Sequence, residues 1–414
     1  MNYVENNWGL ITSQKQSKNI GCSYNLNNEL LVIPSSSYPS WSNTFLFDFK
    51  EKGVILNNIS LLFTMPGMSG LTGVNGVYST PCAFWINTCE IIIGGIVVDT
   101  LYGQSQYIRR NLFSNGDEDR KAYNSGASSL TSLTLDRYNP NTYKLAYGGQ
   151  YILDLDCIFN QSIMHVFHEI PDIQLRIRMN PMSNAYLQTY GILGTAIYPI
   201  TSCQLLVKVS RTNEELNNIS TCLLKRHGMF HYLYHSTLYM PVIVLSGLKS
   251  ISIPLTGISG NVAGLYFTVQ TSSDLVFSSG LTYFNSTTSN NTIYKQINSY
   301  HIISNSATSL CGGQNISDSM SRFYLSKYYF DSTFLADTTE TPNYVYFYSF
   351  STDIKKAVQN GSCLGSHQFY GSEVLQINFL SALTESAQVN IYALVETCLE
   401  IGSDSSVRKL YISN

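Results

Sequence analysis

Hydrophobic and polar residues alternate over short stretches of the chain, and clusters of Gly, Asn, Ser and Pro separate these stretches. A period of two places successive side chains on opposite faces of a strand, as in a sheet with one buried face. The pattern therefore predicts an all-β protein. In the first half of the chain it predicts strands at residues 30–33, 44–49, 55–63, 84–93, 151–158, 173–179 and 204–209.

The second half of the chain repeats the pattern. Each half carries about the strand content of one eight-stranded jelly roll, and 414 residues suit two domains better than one core. Two tandem eight-stranded jelly-roll β-sandwiches are the simplest account. The predicted strands of the second half are residues 230–240, 250–254, 264–270, 344–350, 373–379 and 389–395.

The period changes between the two halves. Thr212 and Glu215 have the spacing of a capping box, and Leu216, Ile219 and Leu223 fall on one helical face. These signals predict a short connecting helix. The predicted organisation is an N-terminal arm at 1–22, a first jelly roll at 23–210, the connecting helix at 211–224 and a second jelly roll at 225–414.

Two glycine-containing turns are predicted. Gly94 and Gly95 separate two apolar runs, and paired glycines allow the positive φ values of a two-residue type I′ hairpin. Asp99 and Thr100 then mark the exit from the second strand toward a short helix. Later in the chain, Gly361-Ser362 is interpreted as the turn between the strands at 343–350 and 373–379.

Two long loop-like regions, residues 114–150 and 271–342, are rich in Ser, Asn, Thr, Tyr and Gly. Loops of this length are usually functional or partly structured insertions. A disordered linker is the alternative, although the Tyr and Phe residues of the second region oppose full disorder.

Charged residues make up 12% of the chain, and the net charge is -3. No basic run exceeds Arg109-Arg110 or Lys225-Arg226-His227, so we expect no specific nucleic-acid binding. Residues 1–10 lack a charged head followed by an apolar stretch, which favours synthesis in the cytosol. The most apolar run, residues 91–98, is too short to span a membrane.

Nine cysteines occur without a Cys-x-x-Cys pair, which argues against a zinc ribbon or a redox dithiol and favours buried free thiols. His227, His231 and His235 recur every four residues and would share one face of a helix. The aromatic residues between the last two favour a strand, where that spacing separates side chains by about 13 Å. We therefore predict no metal site here.

His165 and His168, beside Glu169, are interpreted as a satisfied histidine pair. The acidic cluster of Asp117, Glu118 and Asp119 lacks a calcium-loop pattern and is interpreted as a solvated loop. Signatures of hydrolases, metalloproteases and nucleotide-binding proteins are missing. The sequence thus predicts no catalytic, cofactor-binding or metal-binding residue, no cofactor and no enzymatic activity.

Five ordered segments resemble the major capsid proteins of nucleocytoplasmic large DNA viruses and of their virophage and polinton-like relatives. Val98-Asp99-Thr100-Leu101-Tyr102-Gly103 is similar to an Ile-Asp-x-x-Tyr-Gly segment of that family. The chain departs from the family pattern at Leu364-Gly365-Ser366, and it lacks a Pro before the Ser-Gly turn. The segments are residues 89–107, 204–235, 253–270, 343–379 and 389–414.

The resemblance implies a homotrimer with a pseudo-hexagonal outline that tiles the icosahedral shell of a double-stranded DNA virus. It also implies contacts with neighbouring capsomers, penton and minor capsid proteins, and with an internal viral membrane where one exists. The chain would then be located in the virion, after assembly in the host cytoplasm or a viral factory, with its two insertions facing outward. The alternatives are a carbohydrate-binding or adhesion β-sandwich protein, a minor capsid protein of similar fold and, more distantly, a cupin-like enzyme, against which the lack of a His-x-His motif argues.

Overall fold

The computed structural model describes residues 27–65, 75–77, 82–113, 149–162, 164–181, 187–190, 200–271, 297–304, 310–311, 315–317, 320–321, 345–361 and 363–412. Strands dominate these ranges. The first half contains β1 (Asn27–Pro34), β2 (Thr44–Phe49), β3 (Val54–Met65), β4 (Asn75–Val77), β5 (Ile86–Ile93), β6 (Ile96–Tyr102), β7 (Gly149–Asp154), β8 (Met164–Val166), β9 (Ile173–Met179), β10 (Leu187–Tyr190) and β11 (Ser202–Arg211).

The second half contains β12 (Met229–Val244), β13 (Ser250–Pro254), β14 (Ser259–Thr271), β15 (Ile297–Ile303), β16 (Ile316–Ser317), β17 (Val345–Ser349), β18 (His367–Tyr370), β19 (Val374–Phe379), β20 (Ala387–Gly402) and β21 (Val407–Tyr411). The helices are α1 (Gly103–Phe113), α2 (Ile158–Gln161), α3 (Glu214–His227) and α4 (Ile354–Asn360), with a 3-10 turn at Cys82–Trp85. Among the described residues, no helix has the length and apolar character needed to cross a membrane.

Both halves have the same topology. The first half forms sheets in the order β1-β11-β3-β7 and β2-β9-β5-β6, and the second half forms β12-β20-β14-β17 and β13-β19-β15-β16. With eight main strands numbered along each half, both sandwiches read 1-8-3-6 and 2-7-4-5. This is the jelly-roll arrangement, so the prediction of two tandem eight-stranded jelly rolls is confirmed.

Each sandwich has a core of inward-facing strand residues. In β2, for example, Phe45, Phe47 and Phe49 are buried on alternate positions. The strands β12 and β20, each 16 residues long, serve both cores. The first core includes their residues Phe230, Tyr232, Tyr234, Leu399 and Ile401. The second core includes Val244, Val389, Ile391, Ala393 and Val395.

The hairpin predicted at Gly94 and Gly95 is confirmed. The two glycines have φ values of 57° and 81°, and they connect β5 to β6 in an antiparallel pair. β6 continues through Asp99 and Thr100 to Tyr102, so the strand ends later than predicted, and α1 begins at the next residue.

The turn predicted at Gly361-Ser362 does not by itself connect the two predicted strands. Helix α4 and strand β18 lie between β17 and β19, and these two strands belong to different sheets. Gly361 instead ends α4 with a left-handed φ of 61°, and its N–H is donated to the carbonyl of Ala357. Alternation identified the strands correctly, but it carries no information about which strand pairs with which.

The connecting helix is confirmed, but it runs from Glu214 to His227 and its predicted cap was wrong. The side chain of Asn213 caps it by accepting the N–H of Leu216 at 2.9 Å. Thr212 is not the cap because its hydroxyl donates to the carbonyl of Gly53 at 2.8 Å.

The buried face of α3 also differs from the prediction. Leu216, Ser220 and Leu224 are buried, whereas Ile219 is 36% exposed. Ser220 turns inward because its hydroxyl hydrogen-bonds to the buried ring of His165 at 2.8 Å. A polar partner inside the first sandwich therefore sets the rotation of the helix.

Two further predictions need correction. The strand predicted at 151–158 ends at Asp154. The side chains of Gln106 and Asp99 accept the backbone N–H groups of Asp156 and Ile158, and α2 then begins. The loop predicted at 271–342 contains β15 and β16. The arm at 1–22, residues 114–148 and the cluster Asp117, Glu118 and Asp119 lie outside the described residues. The domain boundaries at 23–210 and 225–414 stay a prediction.

Candidate functional site at the junction of the two sandwiches

Helix α1 leaves the first sandwich and packs against the second. Its residues Ile108 and Phe113 share a buried apolar cluster with Tyr266, Phe347 and Tyr392. The rings of Phe113 and Phe347 meet edge to face with centroids 5.9 Å apart. The helix thus joins the two sandwiches through apolar packing.

A row of four tyrosine rings extends this contact. The centroid of Tyr102 lies 4.9 Å from that of Tyr239, which stacks on Tyr392 at 4.9 Å, which in turn stacks on Tyr266 at 5.1 Å. Tyr102 belongs to the first sandwich and the other three to the second. The row therefore crosses the junction.

Hydrogen bonds from α1 fix the tyrosine row. The hydroxyls of Ser105 and Tyr266 lie 2.5 Å apart, and the hydroxyl of Tyr392 donates to the side chain of Gln104. The amide of Gln104 also donates to Gln270 at 3.1 Å. Because buried polar groups need partners, these bonds specify one orientation of α1 on the second sandwich.

The guanidinium of Arg109 lies at the centre of the junction and is fully buried. Its Nη2 lies 2.9 Å from Oδ2 of Asp156, and its Nη1 donates to Thr237 at 3.1 Å. Burial acts to lower the pKa of Arg109, but Asp156 together with Tyr266, Asp99 and Cys157 acts in the opposite direction, and the pKa is raised. The ion pair connects α1, the segment before α2, and β12.

Asp99 and His235 are the other buried ionisable groups of the junction. Burial raises the pKa of Asp99 from 3.8 to about 6, although Lys409 and Arg109 act in the opposite direction. Burial, assisted by Arg109, lowers the pKa of His235 from 6.5 to about 3. The backbone N–H of His235 is donated to Gln161 at 2.7 Å, while neither ring nitrogen has a hydrogen-bond partner in the described part of the chain.

His165 connects the first sandwich to α3. Its Nδ1 lies 2.8 Å from the hydroxyl of Ser220, and its Nε2 lies 2.9 Å from Asn217. Burial lowers the pKa of His165 from 6.5 to about 4. The ring is therefore neutral at neutral pH. The neighbouring Glu169 accepts a hydrogen bond from Thr221 of the same helix at 3.0 Å.

We expect the protein to lose stability as the pH falls from 6.5 to 4. The folded pKa values of His165 and His235 lie below 6.5. As the pH falls, both imidazoles therefore bind a proton in the unfolded chain before they do so in the folded chain. Asp99 opposes this trend, because its raised pKa lets the folded chain bind a proton first. The net difference of one proton lowers the free energy of unfolding by about 3 kcal/mol over this range.

Denaturant unfolding at several pH values measures this effect. The variant His235→Gln should flatten the pH dependence, whereas His168→Gln, at an exposed position, should leave it unchanged. Equal slopes for the protein and for His235→Gln would contradict the assignment.

The three histidines singled out in the sequence do not form one group. His227 is the last residue of α3, while His231 and His235 lie on β12, as the aromatic pattern indicated. His235 is buried, whereas the side chain of His231 is 31% exposed and lies 3.3 Å from Glu400. Sequence reasoning missed Arg109 and Asp156, because a solitary buried ion pair leaves no periodic signal.

The eight described cysteines are free thiols, as predicted. Cys82, Cys89, Cys157, Cys203 and Cys398 are buried, but Cys222 and Cys363 are exposed. Burial raises the pKa of the Cys398 thiol to about 11.

Two jelly rolls of identical strand order in one chain, fixed by a buried junction, define a double jelly-roll protein. The chain is similar in structure to PBCV-1 VP54, a protein fitted into a cryo-EM reconstruction of the virophage Sputnik, with a TM-score of 0.63 and 14% identity over 95% of this chain and 98% of that one. It is also similar to the Faustovirus major capsid protein, with a TM-score of 0.53 and 8% identity over 95% and 91% of the two chains.

The mavirus major capsid protein is similar as well, with a TM-score of 0.50 and 10% identity over 96% of this chain and 93% of that chain. No family model and no curated protein matches the sequence. The likeness therefore lies in the fold, and it covers both sandwiches.

Proposed function

We propose that the chain is the major capsid protein of an icosahedral double-stranded DNA virus and forms homotrimeric, pseudo-hexagonal capsomers. The observation that carries this proposal is the complete match to VP54, in which both sandwiches take part and 98% of that chain is covered. A single sandwich of an adhesion protein would match only half of such a chain.

The junction supports a role as a rigid building block. A closed threefold ring of subunits with two sandwiches each presents six sandwiches around its axis. A six-sided outline requires the angle between the two sandwiches to be the same in every subunit. The tyrosine row and the pair of buried Arg109 with Asp156 are contacts across the junction that hold one angle.

An exposed apolar strand supports contact between subunits. Leu30 and Val32 of the edge strand β1 are 60% and 52% exposed, on the face opposite the core. Edge strands with exposed apolar residues favour association with another surface. We infer that this strand lies against a neighbouring copy in the shell.

The placement of the insertions supports an outward face. The region after β3 and the region before β7 leave the first sandwich together, since Met65 pairs with Gly149. In the second sandwich, Thr271 pairs with Ala387 at the end opposite to Met229. In each sandwich the long insertions therefore leave from the end opposite α3, and we propose that this end faces outward.

The remaining parts of the proposal follow from the capsid role. We propose that the partners are neighbouring capsomers, penton and minor capsid proteins, and an internal viral membrane where one exists. The location is the virion, after assembly in the host cytoplasm or a viral factory. We propose no catalytic role and no specific nucleic-acid binding.

The test is the mass of the purified chain in solution, measured by light scattering, with negative-stain images of the same peak. A species of three times 46.3 kDa with a hexagonal outline is expected. A clean monomer at high concentration would contradict the proposal. It would favour the carbohydrate-binding or adhesion alternative, which a glycan-binding screen then tests.

A further inference from the structure

A histidine, a cysteine and a glutamate meet on one face of the two strands that serve both cores. His231 of β12 lies directly opposite Glu400 of β20, and Cys398 lies two residues before Glu400 on the same face. The Nδ1 atom of His231 is 3.3 Å from Oε1 of Glu400 and 3.6 Å from Sγ of Cys398. The three donor atoms all lie within 4.8 Å of one another.

These separations fit a tetrahedral metal site. Zinc binds nitrogen and oxygen at about 2.0–2.2 Å and sulfur at about 2.3 Å, so neighbouring donor atoms in a tetrahedron lie about 3.3–3.6 Å apart. The distances from Nδ1 of His231 to Glu400 and to Cys398 both fall in this range without movement of the strands. The remaining separation, between Sγ of Cys398 and a carboxylate oxygen of Glu400, is at most 4.8 Å.

An ion pair between His231 and Glu400 does not by itself explain the position of Cys398. A bond from His231 to Glu400 accounts for two of the three groups. The sulfur of Cys398 approaches the same ring nitrogen, and one nitrogen serves only one of these neighbours at a time. Three metal-binding donor atoms within 4.8 Å of one another are close enough to share one cation.

We propose that His231, Cys398 and Glu400 bind a zinc ion, with water in the fourth position. Imidazole, thiolate and carboxylate are the donor types that zinc combines, whereas calcium and magnesium select oxygen donors alone. The site is reachable from solvent, since the side chains of His231 and Glu400 are 31% and 18% exposed. Cys398 is 9% exposed, which shields its sulfur.

Binding exchanges a proton for the ion. The thiol of Cys398 loses its proton to solvent as the zinc–sulfur bond forms. One proton is released per ion, so binding weakens as the pH falls.

The ion would strengthen the connection between the two sandwiches. On the opposite face of the same strand segments, Phe230, Tyr232, Leu399 and Ile401 enter the core of the first sandwich. An ion that holds β12 and β20 together here stabilises the segment on which that core depends. The site is independent of the capsid proposal, because it involves residues of one chain.

Titration of the metal-free full-length chain with Co²⁺, followed by absorption, tests the site. We expect one equivalent of Co²⁺ to produce a thiolate charge-transfer band and the intense visible bands of a tetrahedral ion, and Zn²⁺ to displace it. Zn²⁺ should also raise the melting temperature.

The variants Cys398→Ser, Glu400→Gln and His231→Gln should weaken binding by more than the roughly 10–100-fold that loss of an outer-shell partner costs. Cys398→Ser should also abolish the charge-transfer band. The matched control is Cys222→Ser, at an exposed cysteine on α3, which should bind as the unchanged protein does.

Absence of stoichiometric binding by the unchanged protein, or an unchanged spectrum in Cys398→Ser, would overturn the proposal. Far-UV circular dichroism checks that each variant is folded, and Glu400→Gln preserves the shape of the side chain if another variant fails to fold. Light scattering of the same samples reports trimer formation separately, so failure of the metal site and failure of the capsomer proposal are distinguishable.

Discussion

Replacing Asp156 by asparagine is expected to lower the free energy of unfolding by about 3 kcal/mol. The change removes the carboxylate that lies 2.9 Å from the guanidinium of Arg109, whose side chain is 0% exposed. A buried charge without its partner is strongly destabilising, and the cost lies at the lower end of the usual range because Asp99 stays nearby. Denaturant unfolding at neutral pH measures the effect.

The matched control for this variant is Asp172→Asn. Asp172 also pairs with a basic residue, Lys52, at 3.6 Å, but its side chain is 77% exposed. Exposed ion pairs contribute about 0–1 kcal/mol, so this variant should be close to the unchanged protein. Similar losses for Asp156→Asn and Asp172→Asn would refute the central role of the buried pair.

The second large effect is expected for Gly103→Ala, which should lower the free energy of unfolding by more than about 3 kcal/mol. A Cβ atom at Gly103 would lie 2.0 Å from the carbonyl oxygen of Ala83 and 2.2 Å from that of Ile86. Both are backbone atoms, so relief requires movement of α1 itself. Movement of this helix would carry Arg109 and Phe113 away from the second sandwich.

Gly257→Ala controls for the glycine-to-alanine change alone. A Cβ atom there would meet the sulfur of Met240 at 3.6 Å, an ordinary contact with a flexible side chain. Denaturant unfolding of the two variants is compared under one condition. If Gly103→Ala is no less stable than Gly257→Ala, the close approach at the start of α1 is not essential.

The fold was predictable where burial follows strand alternation. The predicted bounds of β2, β9 and β13 agree with the structure, because buried residues alternate along each of these strands. Which strands pair with each other was harder to predict from the sequence. Alternation along β17 and β19 is the same whether the two strands pair or lie in separate sheets, and the helix between them depends on Asp353 and Gly361 as local caps.

The proposed zinc site could not be predicted from the sequence, for a physical reason. His231 and Cys398 are far apart in the chain, and only the antiparallel register of β12 and β20 brings them together. The rotation of α3 likewise depends on His165, a residue of a different element. Gly103, by contrast, stands in the segment that resembles the capsid family, and the carbonyls of Ala83 and Ile86 explain why a glycine is needed there.

Because β12 and β20 contribute residues to both cores, the folding of one sandwich depends on the other. Leu399 and Ile401 complete the first core, yet they are synthesised after every strand of both sandwiches except β21. The first core therefore lacks these two side chains until β20 has been synthesised. Because contacts so distant in sequence form late, both sandwiches mature together and should unfold as one cooperative unit.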